Sequence, residues 1–182
     1  MFAEYSNKLN IQKLKDSFDI IKDEYLSLNP SDFVDYPGVR NGMEDMITNP
    51  INTGYFWQIY PLIYQRKLWP NRKIKTSEIL MDLGVVPIIS AFSNLSPHSQ
   101  IDPHEDHDEH KVDEPSTTVI KYHLTLTTPN DGECALIVGD EKRILYPGSL
   151  NAFDESSTHW VYNQGSSVRS ALIISFLKKD LE

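Results

Sequence analysis

One cysteine, Cys134, is the only thiol in this chain of 182 residues. An intrachain disulfide and a thiolate metal cluster are therefore both excluded. Cys134 stands in the apolar run Cys134–Val138 and reads as a small core residue of a strand. Cationic runs are also missing. The 17 Lys and Arg are outnumbered by 26 Asp and Glu, giving a formal net charge of -9. No basic stretch is long enough to follow a phosphate backbone, which argues against nucleic-acid binding. Nor does any stretch approach the roughly 20 apolar residues of a membrane span. The N-terminal residues Met1–Tyr5 lack the basic and apolar segments of a secretion signal. These absences predict a cytoplasmic protein with no membrane partner.

What is present suits one globular domain over 1–182: the chain is 40% hydrophobic, enough for a sizeable core. Ile11, Leu14, Phe18, Ile21 and Tyr25 recur at three- and four-residue steps with Lys13, Lys15, Asp16, Lys22 and Asp23 opposite. That spacing predicts one amphipathic helix, ended before Pro30. Residues 30–75 carry Pro37, Pro50, Pro61 and Pro70 among aromatics and read as loops with one or two short strands. Thr76–Leu83 reads as a short helix closed by Gly84.

Beyond Gly84 the pattern changes to short β-type runs separated by turns such as Asn130-Asp131-Gly132 and Pro147-Gly148. Eight strands are predicted: 86–95, 99–104, 117–127, 133–139, 142–146, 150–153, 159–163 and 168–177. This predicts a mainly β protein, a sandwich or jelly-roll barrel over 85–177, with a helical and irregular region over 1–84 packed outside one sheet.

The candidate chemistry lies in the β-rich part. His104-Glu105-Asp106 places a His and an Asp two residues apart, so on an extended chain both point to one face. With the distant His159 they form the His-x-Asp plus His set of a non-haem Fe(II) site with open positions. His107 and His110 lie in the acidic block 102–114 and read as exposed loop histidines. On the strand Val119–Leu126, Lys121, His123 and Thr125 alternate with Ile120, Tyr122, Leu124 and Leu126. The polar set faces either solvent or a barrel interior, and alternation alone fits both. Arg169 opens a strand that is otherwise apolar on both faces and alternates with Ala171 and Ile173. A guanidinium so placed needs a carboxylate partner from protein or ligand.

The segments Ala91–Pro97, Pro103-His104, Lys121–Leu124, Pro147-Gly148, Phe153-Asp154 with His159 and Val161, and Val168-Arg169 together resemble the aspartyl/asparaginyl β-hydroxylase family. The resemblance covers most of 85–177. It implies a double-stranded β-helix (cupin-like) core and an Fe(II)- and 2-oxoglutarate-dependent dioxygenase that uses O2. It implies His104 and His159 as iron ligands and Arg169 as the anchor of the co-substrate's distal carboxylate, helped by Ser93, Lys121 and His123. The best-known animal members have Gly where this chain has Asp106, and Arg where it has Lys121. The carboxylate here completes a His104, Asp106, His159 triad. The substrate class implied is a peptide or small amino-acid-type molecule, hydroxylated at the β-carbon of Asp or Asn. Two other readings fit parts of the pattern. One is a non-catalytic cupin-like module binding a small acid. The other is a metal-sequestering loop built from His104, Asp106, His107 and His110.

Overall fold

The computed structural model describes residues 1–36, 56–106 and 119–182. Its N-terminal apolar periodicity forms two helices instead of the one expected, α1 (Ile11–Asp16) and α2 (Phe18–Ser27). The break falls at Ser17, whose N–H turns back to the carbonyls of Lys13 and Lys15. Nothing in the local spacing marks it, because Ser17 suits a helix as well as a cap. The buried stripe is the expected one: Leu14 and Ile21 are buried, and Ile11, Phe18 and Tyr25 pack against the same core. From α2 the Glu24 carboxylate accepts the N–H groups of Lys75 at 2.8 Å and Thr76 at 2.6 Å. It thereby caps α3 (Lys75–Met81), satisfying donors that no helical carbonyl can reach. Gly84 follows at φ +93°, and a Cβ there would lie 2.7 Å from the Lys8 carbonyl oxygen. None of the described helices is long and apolar enough to cross a membrane.

The strands are β1 (Val34–Asp35), β2 (Trp57–Tyr64), β3 (Lys67–Leu68), β4 (Ile89–Leu95), β5 (Ser99–His104) and β6 (Val119–Thr127), then β7 (Cys134–Val138), β8 (Glu141–Ile144), β9 (Leu150–Asp154), β10 (His159–Asn163) and β11 (Arg169–Leu177). A terminal turn, α4 (Lys178–Leu181), follows. β2 is longer than the short strands expected from 30–75. It tolerates Pro61 because the register with β4 shifts between Pro61 and Ile63, a bulge where a missing N–H costs no ladder bond. Residues 37–55 and 107–118, which include Pro37, Pro50, His107 and His110, lie outside the described residues.

The strands form two antiparallel sheets. One runs β1-β2-β4-β11-β6-β9 with β3 beside β2, and the other runs β5-β10-β7-β8. From β4 onward the chain alternates between them, apart from the β7–β8 hairpin within the smaller sheet, which is the winding of a double-stranded β-helix. Leu95, Cys134, Leu136, Val138, Phe153 and Val161, drawn from both sheets, form the core between them. On the other face of the larger sheet, Tyr122, Leu124, Leu126, Leu172, Ile174 and Phe176 pack with Leu14, Ile21 and Leu80 of the helices. This settles the alternation of β6. The helices take its apolar face, so Lys121, His123 and Thr125 turn towards the barrel interior.

Asn163 joins the end of β10 to the neighbouring strands. Its amide donates to the carbonyls of Leu95 (3.2 Å), Ser96 (3.0 Å) and Ser167 (2.8 Å). Its oxygen accepts from Gly165 N–H at 3.1 Å and the Cys134 thiol at 3.3 Å. An Asn163→Ala substitution leaves several of these groups without partners. With each buried orphan costing roughly 1–3 kcal/mol, the expected loss is about 2–4 kcal/mol by urea denaturation. A loss below about 1 kcal/mol would show that the surroundings re-satisfy these groups.

Candidate functional site

His104 ends β5, His159 begins β10, and the two are direct partners across the antiparallel ladder. Their rings therefore lie side by side, with centroids 4.3 Å apart. Each is held through Nδ1, His104 to the carbonyl of Asp102 at 2.7 Å and His159 to that of Ser157 at 2.8 Å. An imidazole that donates Nδ1–H to a carbonyl keeps the lone pair of Nε2 for a metal.

Asp106 lies beyond the last residue of β5, yet the chain stays tied to the same place. Its N–H donates to the Glu155 carbonyl at 3.1 Å, on the turn that leads into β10. The carboxylate thus returns between the two rings, Oδ1 lying 3.6 Å from His104 Nε2 and Oδ2 lying 3.5 Å from His159 Nε2. One donor atom from each of the three residues falls within 4.8 Å of the others. Donors bound at about 2.0–2.2 Å to a common ion sit roughly 3–3.5 Å apart, so the set fits a divalent cation with little movement. Two imidazoles and one carboxylate on one side of an ion leave its opposite positions open.

The electrostatics favour a charged carboxylate. Burial by itself would raise the pKa of Asp106, which is only 4% exposed. The Lys121 ammonium and the His159 ring outweigh burial and hold it well below the usual carboxylate range. Lys121 Nζ contacts Asp106 Oδ2 directly and lies 3.3 Å from Oε2 of Glu155, a fully buried acid.

Arg169 opens β11 opposite Leu95 and is 1% exposed. Its Nε and Nη2 have no hydrogen-bond partner among the described residues. Burial pushes its pKa down to about 10, so it remains a cation at neutral pH. His123 is likewise buried with both ring nitrogens unpartnered. Burial first, then the charge of Arg169, pushes its pKa well below the ordinary value, so the ring is neutral. Ser93 on β4 accepts from Trp57 Nε1 at 3.0 Å, leaving its own O–H as a donor. All seven residues singled out from the sequence, Ser93, His104, Asp106, Lys121, His123, His159 and Arg169, line one cleft, rimmed by Trp57, Ile101 and Trp160. Phe153 packs beside both rings, 4.8 Å from His159 and 5.2 Å from His123 between centroids.

Glu155 was not singled out from the sequence, and Phe153 figured there only as part of the resemblance, without a role in the site. Phe153 reads as an ordinary core residue of a strand. Glu155 reads as a solvated turn acid, and its burial arises from packing that no local pattern encodes.

A family model described as aspartyl/asparaginyl beta-hydroxylase matches residues 15–179. Curated proteins give no match. Among solved structures, a predicted oxalate decarboxylase from Thermotoga maritima is similar at 13% identity and TM-score 0.43, covering 66% of this chain and 80% of that one. A cupin domain from an Enterobacter cloacae transcriptional regulator is similar at 17% identity and TM-score 0.41, covering 66% and 95%. The Schizosaccharomyces pombe Cnp3 cupin domain is similar at 8% identity and TM-score 0.45, covering 71% and 70%. Likenesses of this size say nothing about the chemistry of the site.

Proposed function

The chain belongs to the aspartyl/asparaginyl β-hydroxylase family, and from that premise we propose that it is an Fe(II)- and 2-oxoglutarate-dependent hydroxylase of an amino-acid-type substrate. The β-carbon of an Asp or Asn, in a peptide or a small molecule, is the proposed position. One observation carries this reading. A cluster of two imidazoles and a carboxylate, with Asp106 and His159 buried and His104 partly exposed, shares its cleft with a buried guanidinium whose Nε and Nη2 have no partner among the described residues. The first half gathers three metal-type donor groups within 4.8 Å of one another, and the second is a desolvated charge.

His104, Asp106 and His159 would hold the iron. When bound, Fe(II) supplies O2 activation, and the balanced reaction takes substrate C–H, 2-oxoglutarate and O2 to C–OH, succinate and CO2. The residues of the chain determine placement. Arg169 offers N–H donors to the distal carboxylate of the co-substrate, a charge-assisted contact strengthened by burial. Ser93 and the neutral His123 add donors on the same side, so the acid end is held without a second buried charge. Trp57, Ile101 and Trp160 supply apolar lining to the same cleft.

The test is incubation with Fe(II), ascorbate, 2-oxoglutarate and a panel of Asp- and Asn-containing peptides and free amino acids. Succinate release together with an O2-derived oxygen in the product supports the reading. Metal and 2-oxoglutarate binding with no succinate from any substrate would point instead to a binding module. Asp106→Gly, which copies the residue of the animal members, is expected to weaken metal binding by about tenfold or more while leaving measurable turnover. Wild-type metal affinity in that variant would remove Asp106 from the ligand set.

A further inference from the structure

We propose that Glu155 is a positioning residue of the metal centre: by sharing the Lys121 ammonium, it frees the Asp106 carboxylate to take a divalent cation. This rests on the metal-centre reading above and adds to it a residue outside the ligand set.

Lys121 reaches into the barrel from β6 and places Nζ against two acids at once, Asp106 and Glu155. Glu155 is fully buried, so its charge needs a partner, and Lys121 supplies one. The backbone of Glu155 also takes part. Its carbonyl accepts the Asp106 N–H at 3.1 Å, and its own N–H donates to Val119 at 3.3 Å. A single residue thus ties the chain segment that carries Asp106 to the strand that carries Lys121. Two residues further on, the Ser157 carbonyl fixes the ring of His159.

Charge counting shows what the second acid does. Asp106 and Lys121 alone form a neutral pair. A dication arriving there meets attraction from the carboxylate and repulsion from an ammonium at nearly the same distance, and the two largely cancel. With Glu155 included, these three residues together carry one net negative charge. The ammonium then has Glu155 as another acceptor within reach and can shift towards it. Lys121 is therefore a competitor for the metal-binding carboxylate, and Glu155 draws it off.

The experiment titrates the full-length, metal-free protein with Co(II), read by calorimetry and by the visible absorption of the bound ion, so that no turnover is required. Glu155→Gln keeps the shape and removes the charge, and it is expected to weaken Co(II) binding by about tenfold or more. The double variant Lys121→Met with Glu155→Gln removes competitor and acceptor together, and its affinity is expected to return to within about threefold of wild type. That rescue separates the proposal from a role in shaping the turn, which neutralising Lys121 would not repair. An E155Q protein that binds as tightly as wild type, or a double variant as weak as E155Q, overturns the inference. Should E155Q fail to fold by circular dichroism, Lys121→Met alone decides. It is expected to bind at least as tightly as wild type, and binding weaker by about tenfold overturns the inference. Wild-type protein that takes up no Co(II) overturns the metal-centre reading itself. Wild-type uptake lost in His159→Ala, with E155Q unaffected, overturns this inference alone.

Discussion

Replacing His159 by alanine is expected to abolish metal-dependent succinate release and to lower metal affinity by at least about 100-fold, beyond the range seen when only an outer partner of a ligand is lost. The size of the effect follows from the geometry. His159 Nε2 lies 3.5 Å from the Asp106 carboxylate, matched by His104 Nε2 at 3.6 Å, and His159 is the more deeply buried of the two rings. Its ring is oriented on both sides, by the Ser157 carbonyl and by Phe153. No other imidazole among the described residues is placed to substitute for it. His123 lines the same cleft but is not part of the cluster of donor atoms, and its ring nitrogens have no partner among the described residues. His123→Ala is therefore the matched control, expected to retain metal binding while weakening the co-substrate. Calorimetric titration with Fe(II) under anaerobic conditions reads both variants. Full metal affinity in His159→Ala would remove the residue from the centre.

The second large effect has two parts that move in opposite directions. Arg169→Met is expected to weaken 2-oxoglutarate binding by roughly 10- to 150-fold and, at the same time, to stabilise the ligand-free protein. Losing a charge-assisted contact to a carboxylate costs about 1.5–3 kcal/mol, more if the carboxylate is left buried and unpaired. In the absence of the acid, however, the guanidinium is a desolvated charge whose Nε and Nη2 lack partners. An unbranched thioether of similar length fills its place without that penalty. A gain of about 1–2 kcal/mol corresponds to a melting temperature higher by roughly 2–8 °C at this chain length. The wild-type protein should gain about 2.7 kcal/mol from 2-oxoglutarate at one hundred times its dissociation constant, and the variant at the same concentration no more than about half of that. Thermal melts with and without the co-substrate give all four values. A variant that melts lower than wild type without ligand, or shifts equally with it, would show that Arg169 is satisfied within the protein.

The contrast between Arg169 and Glu155 shows what could be read from the sequence. Arg169 interrupts a strand of apolar residues, so its neighbours alone mark it as buried. Glu155 sits between Asp154 and Ser156 in a run that matches any solvated turn, and only the fold of the chain over it reveals its burial. The strands of the barrel were legible to within a few residues because each is an apolar or alternating run bounded by turn residues. β2 was underestimated because Pro61 reads as a breaker unless the bulge that accommodates it is known. The alternation of β6 was visible, but its direction was not. Which face turned inward depended on α2 and α3 covering the other, a tertiary fact. His104, Asp106 and His159 were visible as a pattern, while their convergence depended on β5 and β10 being ladder partners.

That partnership has a mechanical side. β5 is the outermost strand of its sheet, hydrogen-bonded to β10 alone within it. An ion held jointly by residues at its C-terminal end and by the first residue of β10 would act as a rivet through the free margin of the barrel. Loading the centre should therefore suppress fraying of that margin, and amide exchange along Ser99–His104 should slow far more than exchange in the interior strands.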